Sequence, residues 1–299
     1  MEFGLHLTLR ILLIIIKTAG VWLLKKGFNP TNYGNTCIFE ASLFKNAGGV
    51  IHGFTTRTGG VSAKPYDSLN LAFHVGDSPE AVIENRKRVC HILGAEIDNM
   101  VTAKQVHGTN VAVIEEGHFG LGAYSYDTSV PDTDGLVTDR PGLLLATFYA
   151  DCVPVFIYDP VKKVAATVHA GWKGTLARIG AAALNKMAAV FGCDPSDCLV
   201  GIGPSIGPCC YEVDAAVIGL FRREFPGLDI LNNTGEDKAR LNLWEANRNI
   251  MAEAGIRPDN VELAEICTCC HQNLFFSYRG GQGQTGRMGA FIMLTEVPA

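Results

Sequence analysis

LLLATFYADCVPVFIYDPVKKVAATVHA, residues 143–170, carries three apolar runs, LLLATFY, PVFIY and KVAATV, separated by short breaks that hold Asp, Pro and Lys. Runs of this length, rich in β-branched and aromatic residues and bounded by turn formers, read as strands. The same kind of run recurs as VIHGF, NMVTA, NVAVI, GLVT, CLVGI, VELAEI and AFIML. Helical patterns are fewer. DSPEAVIENRKRVCHILG has Ser78 as a cap, Pro79 in the first turn and Gly94 at the end. TLARIGAAALNKMAAVFG closes on Gly192, and DAAVIGLFRREF and NLWEANRNIMAEAG complete the set, the last with Asn242 and Glu245 spaced as a capping box. Strands outnumber helices and cluster ahead of them. That pattern predicts an α+β fold, a layered single domain with mixed β-sheets covered by helices, and argues against a doubly wound parallel sheet.

The chain has 299 residues, 47% of them hydrophobic and 18% charged, which is enough for a substantial core. A net charge of −5, with no basic stripe interleaved with aromatics, excludes nucleic acid as an expected partner. The ten cysteines fall in clusters such as Cys209-Cys210 and Cys267-Thr-Cys269-Cys270, unlike a secreted disulfide framework, so a reducing cytoplasm is expected. Residues 1–30 stand apart. Their apolar centre, ILLIII, is flanked by Arg10 and Lys17, too short a stretch for a clean membrane span, and no small-x-small cleavage site follows. They read as an atypical leader: an anchor, an export signal or a wrongly assigned start. Residues 31–299 read as one catalytic domain without linker or repeat, and contact with a membrane is expected only if the leader is native.

Reactive side chains collect at the ends of the strand-like runs, in KQVHGTNV, FYADCVPV, TVHAGWKG and CTCCHQNLFFSYRGG. His107, Cys152 and His169 would together make a His₂Cys ligand set suited to Zn²⁺, with a fourth position open to water or substrate. Each has a plainer role as well: His107 closing a strand beside Gly108, Cys152 as a small buried hydrophobe, and His169 and Cys152 as a metal-free nucleophilic dyad oriented by Asp151. Gly171 and Gly174 around Trp172 and Lys173 suit close backbone approach to a bound group. Arg57, beside Gly59 and Gly60, is a candidate for a phosphate or carboxylate, or a structural arginine in a turn. Asn70, inside an apolar run, requires a backbone or ligand partner if buried. Cys267 and Cys270 have C-x-x-C spacing, but no second such pair follows, which argues against a four-cysteine zinc ribbon; the adjacent Cys209 and Cys210 lack the cytidine-deaminase signature.

In this order QVHG, DTDGLVTD, ADCVPV, VHAGWKGT, GPSIGPCCYEV and LFFSYRGGQGQTGRMGAFI resemble the laccase-domain, or multicopper polyphenol oxidase, family, from about Gly53 to Leu294. The resemblance implies purine nucleoside phosphorylase activity on adenosine, inosine and methylthioadenosine, adenosine deaminase activity, and a metal held by His107, Cys152 and His169. It also implies a pocket for purine nucleoside and phosphate that includes Arg57 and Asn70. Bidentate arginine suits phosphate, with Arg57 first and Arg287 of TGRMG second. Deamination would use water activated at the open Zn²⁺ position, with Asp151 moving the proton or orienting a ligand histidine. Cu²⁺ also suits a His₂Cys set. Yet no two of the eight histidines are separated by one residue, so the His-x-His pairs of a trinuclear copper cluster are missing. The competing readings are a copper-dependent polyphenol oxidase, a metal-independent Cys–His hydrolase and a closed, purely structural zinc. Oligomeric state is not legible from the sequence.

Overall fold

The computed structural model describes residues 27–295. Its strands are β1 (Phe28–Tyr33), β2 (Thr36–Ala41), β3 (Val50–Thr55), β4 (Met100–Thr102), β5 (Val111–Val113), β6 (Gly135–Thr138), β7 (Leu144–Tyr149), β8 (Val153–Asp159), β9 (Val164–Ala170), β10 (Leu199–Ile202), β11 (Glu212–Asp214), β12 (Leu231–Gly235), β13 (Lys238–Leu241), β14 (Val261–Leu263) and β15 (Met288–Leu294). They form one six-stranded sheet ordered β1-β2-β3-β15-β7-β4, a second ordered β14-β10-β8-β9-β6-β5, and a small β11-β13-β12 sheet. Both large sheets are mixed. β4 runs parallel to β7 in the first, and β10–β14 and β5–β6 are parallel pairs in the second. The helices are α1 (Ser42–Ala47), α2 (Pro79–Ile92), α3 (Trp172–Leu176), α4 (Ile179–Phe191), α5 (Ala215–Glu224) and α6 (Leu243–Glu253). The expected α+β fold with mixed, helix-covered sheets is therefore the observed one.

Side-chain alternation explains the layering. Every residue of β8 is buried, with Val153, Val155 and Ile157 facing Ile179, Leu184 and Met187 of α4, while Phe156 and Tyr158 face Tyr149 and Ile292 of the other sheet. On the outer face of that other sheet, Leu144, Ala146 and Phe148 pack against Val89 and Cys90 of α2. The order is helix, sheet, sheet, helices. A strand covered on both faces reads as a near-continuous apolar run, which is why residues 143–170 were legible. Burying each such Val, Ile or Phe contributes roughly 1.5–3 kcal/mol.

Local signals held at some ends and failed at others. Ser78 Oγ accepts the Ala81 N–H at 3.3 Å and Gly94 turns with φ 67°. Asn242 caps the Glu245 N–H, but the Glu245 carboxylate pairs with Arg248, so only half of the expected capping box forms. The run TLARIGAAALNKMAAVFG is not one helix. Arg178, in the left-handed region at φ 58° and ion-paired to Glu224 and Glu253, separates α3 from α4. β1 begins at Phe28, inside the stretch read as a leader, and residues 1–26 lie outside the described residues. Among the described residues no helix is long and apolar enough to cross a membrane.

His52 of β3 offers a test of this packing. Its Nε2 accepts the Ala41 N–H at 2.7 Å and its ring lies 4.8 Å from that of Phe44. Burial, with the charge of Lys45, lowers its pKa to about 3. Because the folded-state value lies below the unfolded one, the unfolded chain gains a proton that the native chain refuses. The stability contribution is complete above about pH 6.5 and is lost as pH falls toward 3, by up to about 1.4 kcal/mol per pH unit. Denaturant unfolding of His52→Gln between pH 7 and pH 5 should therefore show a shallower loss than the unsubstituted chain; equal slopes would contradict the packing.

Candidate metal centre

β7 belongs to the first large sheet and β8 to the second, so Ala150, Asp151 and Cys152 carry the chain from one to the other. Asp151 makes that crossing at φ 83°, a costly conformation for a residue with a side chain. Four hydrogen bonds hold it. Thr268 Oγ1 donates to its Oδ1 at 2.7 Å, Ser277 Oγ and the Arg279 N–H donate to its Oδ2 at 3.0 and 2.7 Å, and the Ile206 N–H donates to its carbonyl at 2.9 Å. Cys152 follows at once. β9 pairs with β8 through Pro154 and His169, which sets His169 beside the crossing.

His107 reaches the same point from the loop after β4, itself at φ 61°. What aims it is Asp134, just ahead of β6. The Asp134 carboxylate accepts the N–H groups of Val106, His107 and Gly108 at 3.1, 3.0 and 2.8 Å, and pairs with His169 Nδ1 at 2.8 Å. The His169 N–H also donates to the Asp134 carbonyl at 2.7 Å. The result is that ligand atoms of His107, Cys152 and His169 all lie within 4.8 Å of one another, with Cys152 Sγ 3.9 Å from His107 Nε2. Tetrahedral Zn²⁺, bound at about 2.3 Å to sulfur and about 2.0 Å to nitrogen, spaces those two atoms by about 3.5 Å. With Nδ1 engaged by Asp134, His169 turns Nε2 toward the centre, an orientation typical of a metal-ligating histidine. The donor set and its spacing fit the ion.

Electrostatics favour charge at this point. Burial opposes a thiolate at Cys152, but the field and hydrogen bonds of His169 and His107 outweigh it and lower its pKa. Burial likewise opposes the His169 imidazolium, and Cys152 and Asp134 outweigh it in the other direction. For Asp134, burial is offset by His169 and by the Gly108 and Val106 N–H groups, and its pKa is lowered. Gly171 is close-fitting: a Cβ there would stand 3.0 Å from His107 Cδ2 and 3.1 Å from Cys152 Sγ. At Gly174 a Cβ would instead meet Ile179 and the carbonyls of Gly108 and His169, so that glycine serves packing of α3.

The polar residues expected to meet substrate are placed differently from one another. Arg57 donates to the carbonyls of Asp67 and Gln272, lies 3.4 Å from the Asp67 carboxylate and stacks over Phe276. It lines an open cavity of about 320 Å³ with Thr58, Asp67, Ser68, Gln272 and Asn273, apart from the three clustered residues. Asn70 is fully buried; its Oδ1 accepts the Ala72 and Arg287 N–H groups, and its amide donates to the Ala72 carbonyl and to Asp77. It is a brace for the backbone of Arg287. Arg287 has no ion pair among the described residues, and burial lowers its pKa against the fields of Cys152, Tyr278 and Asp151. Sequence reasoning gave no role to Asp134, Thr268, Ser277 or Arg279. Their motifs, DTDGLVTD and CTCCHQNLFFSYRGG, were visible, but nothing local said that they grip the crossing.

A family model described as multi-copper polyphenol oxidoreductase laccase matches residues 51–295. The chain belongs to that family. It is similar to the purine nucleoside phosphorylase YlmD of Bacillus subtilis, 39% identical over 248 residues that cover 83% of this chain and 89% of that one. It is also similar to the adenosine deaminase RL5 of an unknown prokaryotic organism, 32% identical over 77% of this chain and 88% of that one. The crystal structure of YlmD from Geobacillus stearothermophilus superposes with a TM-score of 0.86 at 37% identity, covering 91% of this chain and all of that one.

Two substitutions test the geometry. Asp134→Asn, which keeps the shape but sets an amide against backbone N–H groups, should weaken Zn²⁺ binding about 10- to 100-fold in chelator competition. Gly171→Ala should weaken it as well, since φ −63° and ψ 172° accept alanine and only the side-chain contacts suffer. Gly117→Ala, where a Cβ meets nothing within 4 Å, should bind as the unsubstituted chain does. Equal affinity in all of them would contradict the arrangement.

Proposed function

We propose that this chain is a purine nucleoside phosphorylase that also deaminates adenosine, with Zn²⁺ held by His107, Cys152 and His169. The observation that carries the reading is the convergence of those three side chains under the control of Asp134, in a family whose members include a named purine nucleoside phosphorylase and a named adenosine deaminase. Zn²⁺ bound there would supply a Lewis acid with one position open toward the nucleoside. In phosphorolysis a phosphate oxygen bonds to C1′ of the ribose as the C1′–N9 bond breaks, and the electron pair leaves on the purine. The chain must hold the anion and keep water from competing. Arg287 is the first choice for the anion, because its guanidinium has no carboxylate partner among the described residues, whereas Arg57 already faces Asp67. Asn70 acts through Arg287, fixing its backbone.

In this reading Asp151 anchors the crossing. It exchanges a proton with substrate only through the hydroxyls of Thr268 or Ser277, which donate to its carboxylate. The partners are a purine nucleoside and phosphate, and the clustered thiols favour a reducing compartment such as the cytoplasm. A second reading draws on one specific feature: Cys152, His169 and Asp134 also stand in the order thiol, imidazole, carboxylate, as in a metal-independent Cys–His hydrolase.

Incubation with adenosine, with and without phosphate, separates the outcomes. Ribose 1-phosphate plus adenine, formed only with phosphate, marks phosphorolysis, and inosine marks deamination; the absence of both would overturn the proposal. Activity that persists undiminished after chelation and returns no metal on analysis would favour the hydrolase. Arg287→Ala should raise the KM for phosphate at least about tenfold, the cost of a lost charged hydrogen bond, while Arg57→Ala raises it less.

A further inference from the structure

A second group of side chains, separate from the His₂Cys centre, meets where two loops run side by side. Cys209 and Cys210 follow β10 in GPSIGPCCYEV, and Cys267 and Cys270 follow β14 in CTCC. The loops are joined by a parallel bridge between Ser205 and Cys267. The four Sγ atoms all lie within 4.8 Å of one another. Cys270 Sγ is 3.5 Å from Cys209 Sγ and 3.4 Å from Cys210 Sγ, and Cys267 Sγ accepts the Gly207 N–H at 3.2 Å.

No single disulfide accounts for this arrangement, because Cys270 stands at nearly equal distance from two different sulfurs. A shared ion does. Four thiolates about 2.3 Å from a tetrahedral Zn²⁺ are spaced about 3.8 Å apart; the two Cys270 pairs stand slightly inside that spacing and all four sulfurs lie within 4.8 Å of one another, so small side-chain shifts would admit the ion. The sequence hid the site because its second pair is two adjacent cysteines from another loop instead of a second C-x-x-C.

We propose that Cys209, Cys210, Cys267 and Cys270 form a second, structural site for a thiophilic divalent cation, Zn²⁺, bound by four thiolates whose protons pass to solvent. The chain brings neutralising charge to the same place: Arg279 Nη1 donates to the Cys210 carbonyl and Nη2 to that of Glu212. The site clips the two loops that grip the sheet crossing. Thr268, between two of the ligands, donates to the Asp151 carboxylate, and Ile206, ahead of the other two, donates to its carbonyl. All four positions of the ion are filled by protein, so its role is to hold the loops and not to meet substrate.

The test uses the full chain with the first centre disabled by Cys152→Ala and His169→Ala, and reads metal, not activity, so its failure is distinct from failure of the proposed function. This variant should bind one equivalent of Zn²⁺, and with Co²⁺ it should show the intense sulfur-to-cobalt charge transfer and d–d bands of a tetrahedral thiolate site. Adding Cys270→Ser, or separately Cys209→Ser in case one of them fails to fold, should abolish that spectrum. Absence of Zn²⁺ binding by the disabled variant would overturn the proposal. So would a mass lower by two hydrogens that reduction restores, or an iron–sulfur absorbance with stoichiometric iron.

Discussion

A buried carboxylate without partners is too costly to survive in a folded protein, and Asp134 is fully buried. Its cost is offset by three consecutive backbone N–H groups from one loop and by the imidazole of His169. That requirement does the positioning. A loop whose N–H groups must converge on one carboxylate has little freedom left, and His107 accepts a left-handed backbone as a consequence. The same carboxylate selects which nitrogen of His169 faces the centre. Both histidines are thus placed by one residue.

Cys152 is placed by a different device. The chain passes from one sheet to the other just before it, and the strained Asp151 is secured by donors from the loops after β10 and β14. The sandwich supplies the third member with little extra, because His169, next to last in β9, pairs with Pro154 of the neighbouring β8. Three separate parts of the chain therefore meet beside the crossing between the two sheets. Strain at the crossing is tolerated because both loops over-determine it.

How much of this was legible follows from where each signal resides. Strands buried on both faces announce themselves by continuous apolar runs, and β3, β7, β8, β9 and β15 did so. β1, with Pro30 and two asparagines, and the exposed β12, LNNTG, did not, since their pairing and not their composition makes them strands. The break at Arg178 left the helical period intact on either side and so was invisible to it. His107, Cys152 and His169 were found as residue types at run ends and through the family resemblance, but Asp134 was passed over because its partners are remote in sequence. The sequence put Arg57 ahead of Arg287 for the anion; the proposed reading reverses that order because Arg57 lies against Asp67 while Arg287 has no ion pair among the described residues, a difference no local pattern signals. The cysteine pairs were seen and set aside for lack of regular spacing, although folding joins them.

Asp134 brings His107, Cys152 and His169 to one centre, and in the proposed reading the nucleoside is processed there. The most direct measurement is a crystal structure of the chain grown with Zn²⁺, inosine and phosphate, with anomalous scattering collected at the zinc edge. The account predicts a peak within bonding distance of His107 Nε2, Cys152 Sγ and His169 Nε2, with His169 Nδ1 still on Asp134 and the purine against the open side. A nucleoside bound away from that peak, or no peak between the three side chains, would contradict it.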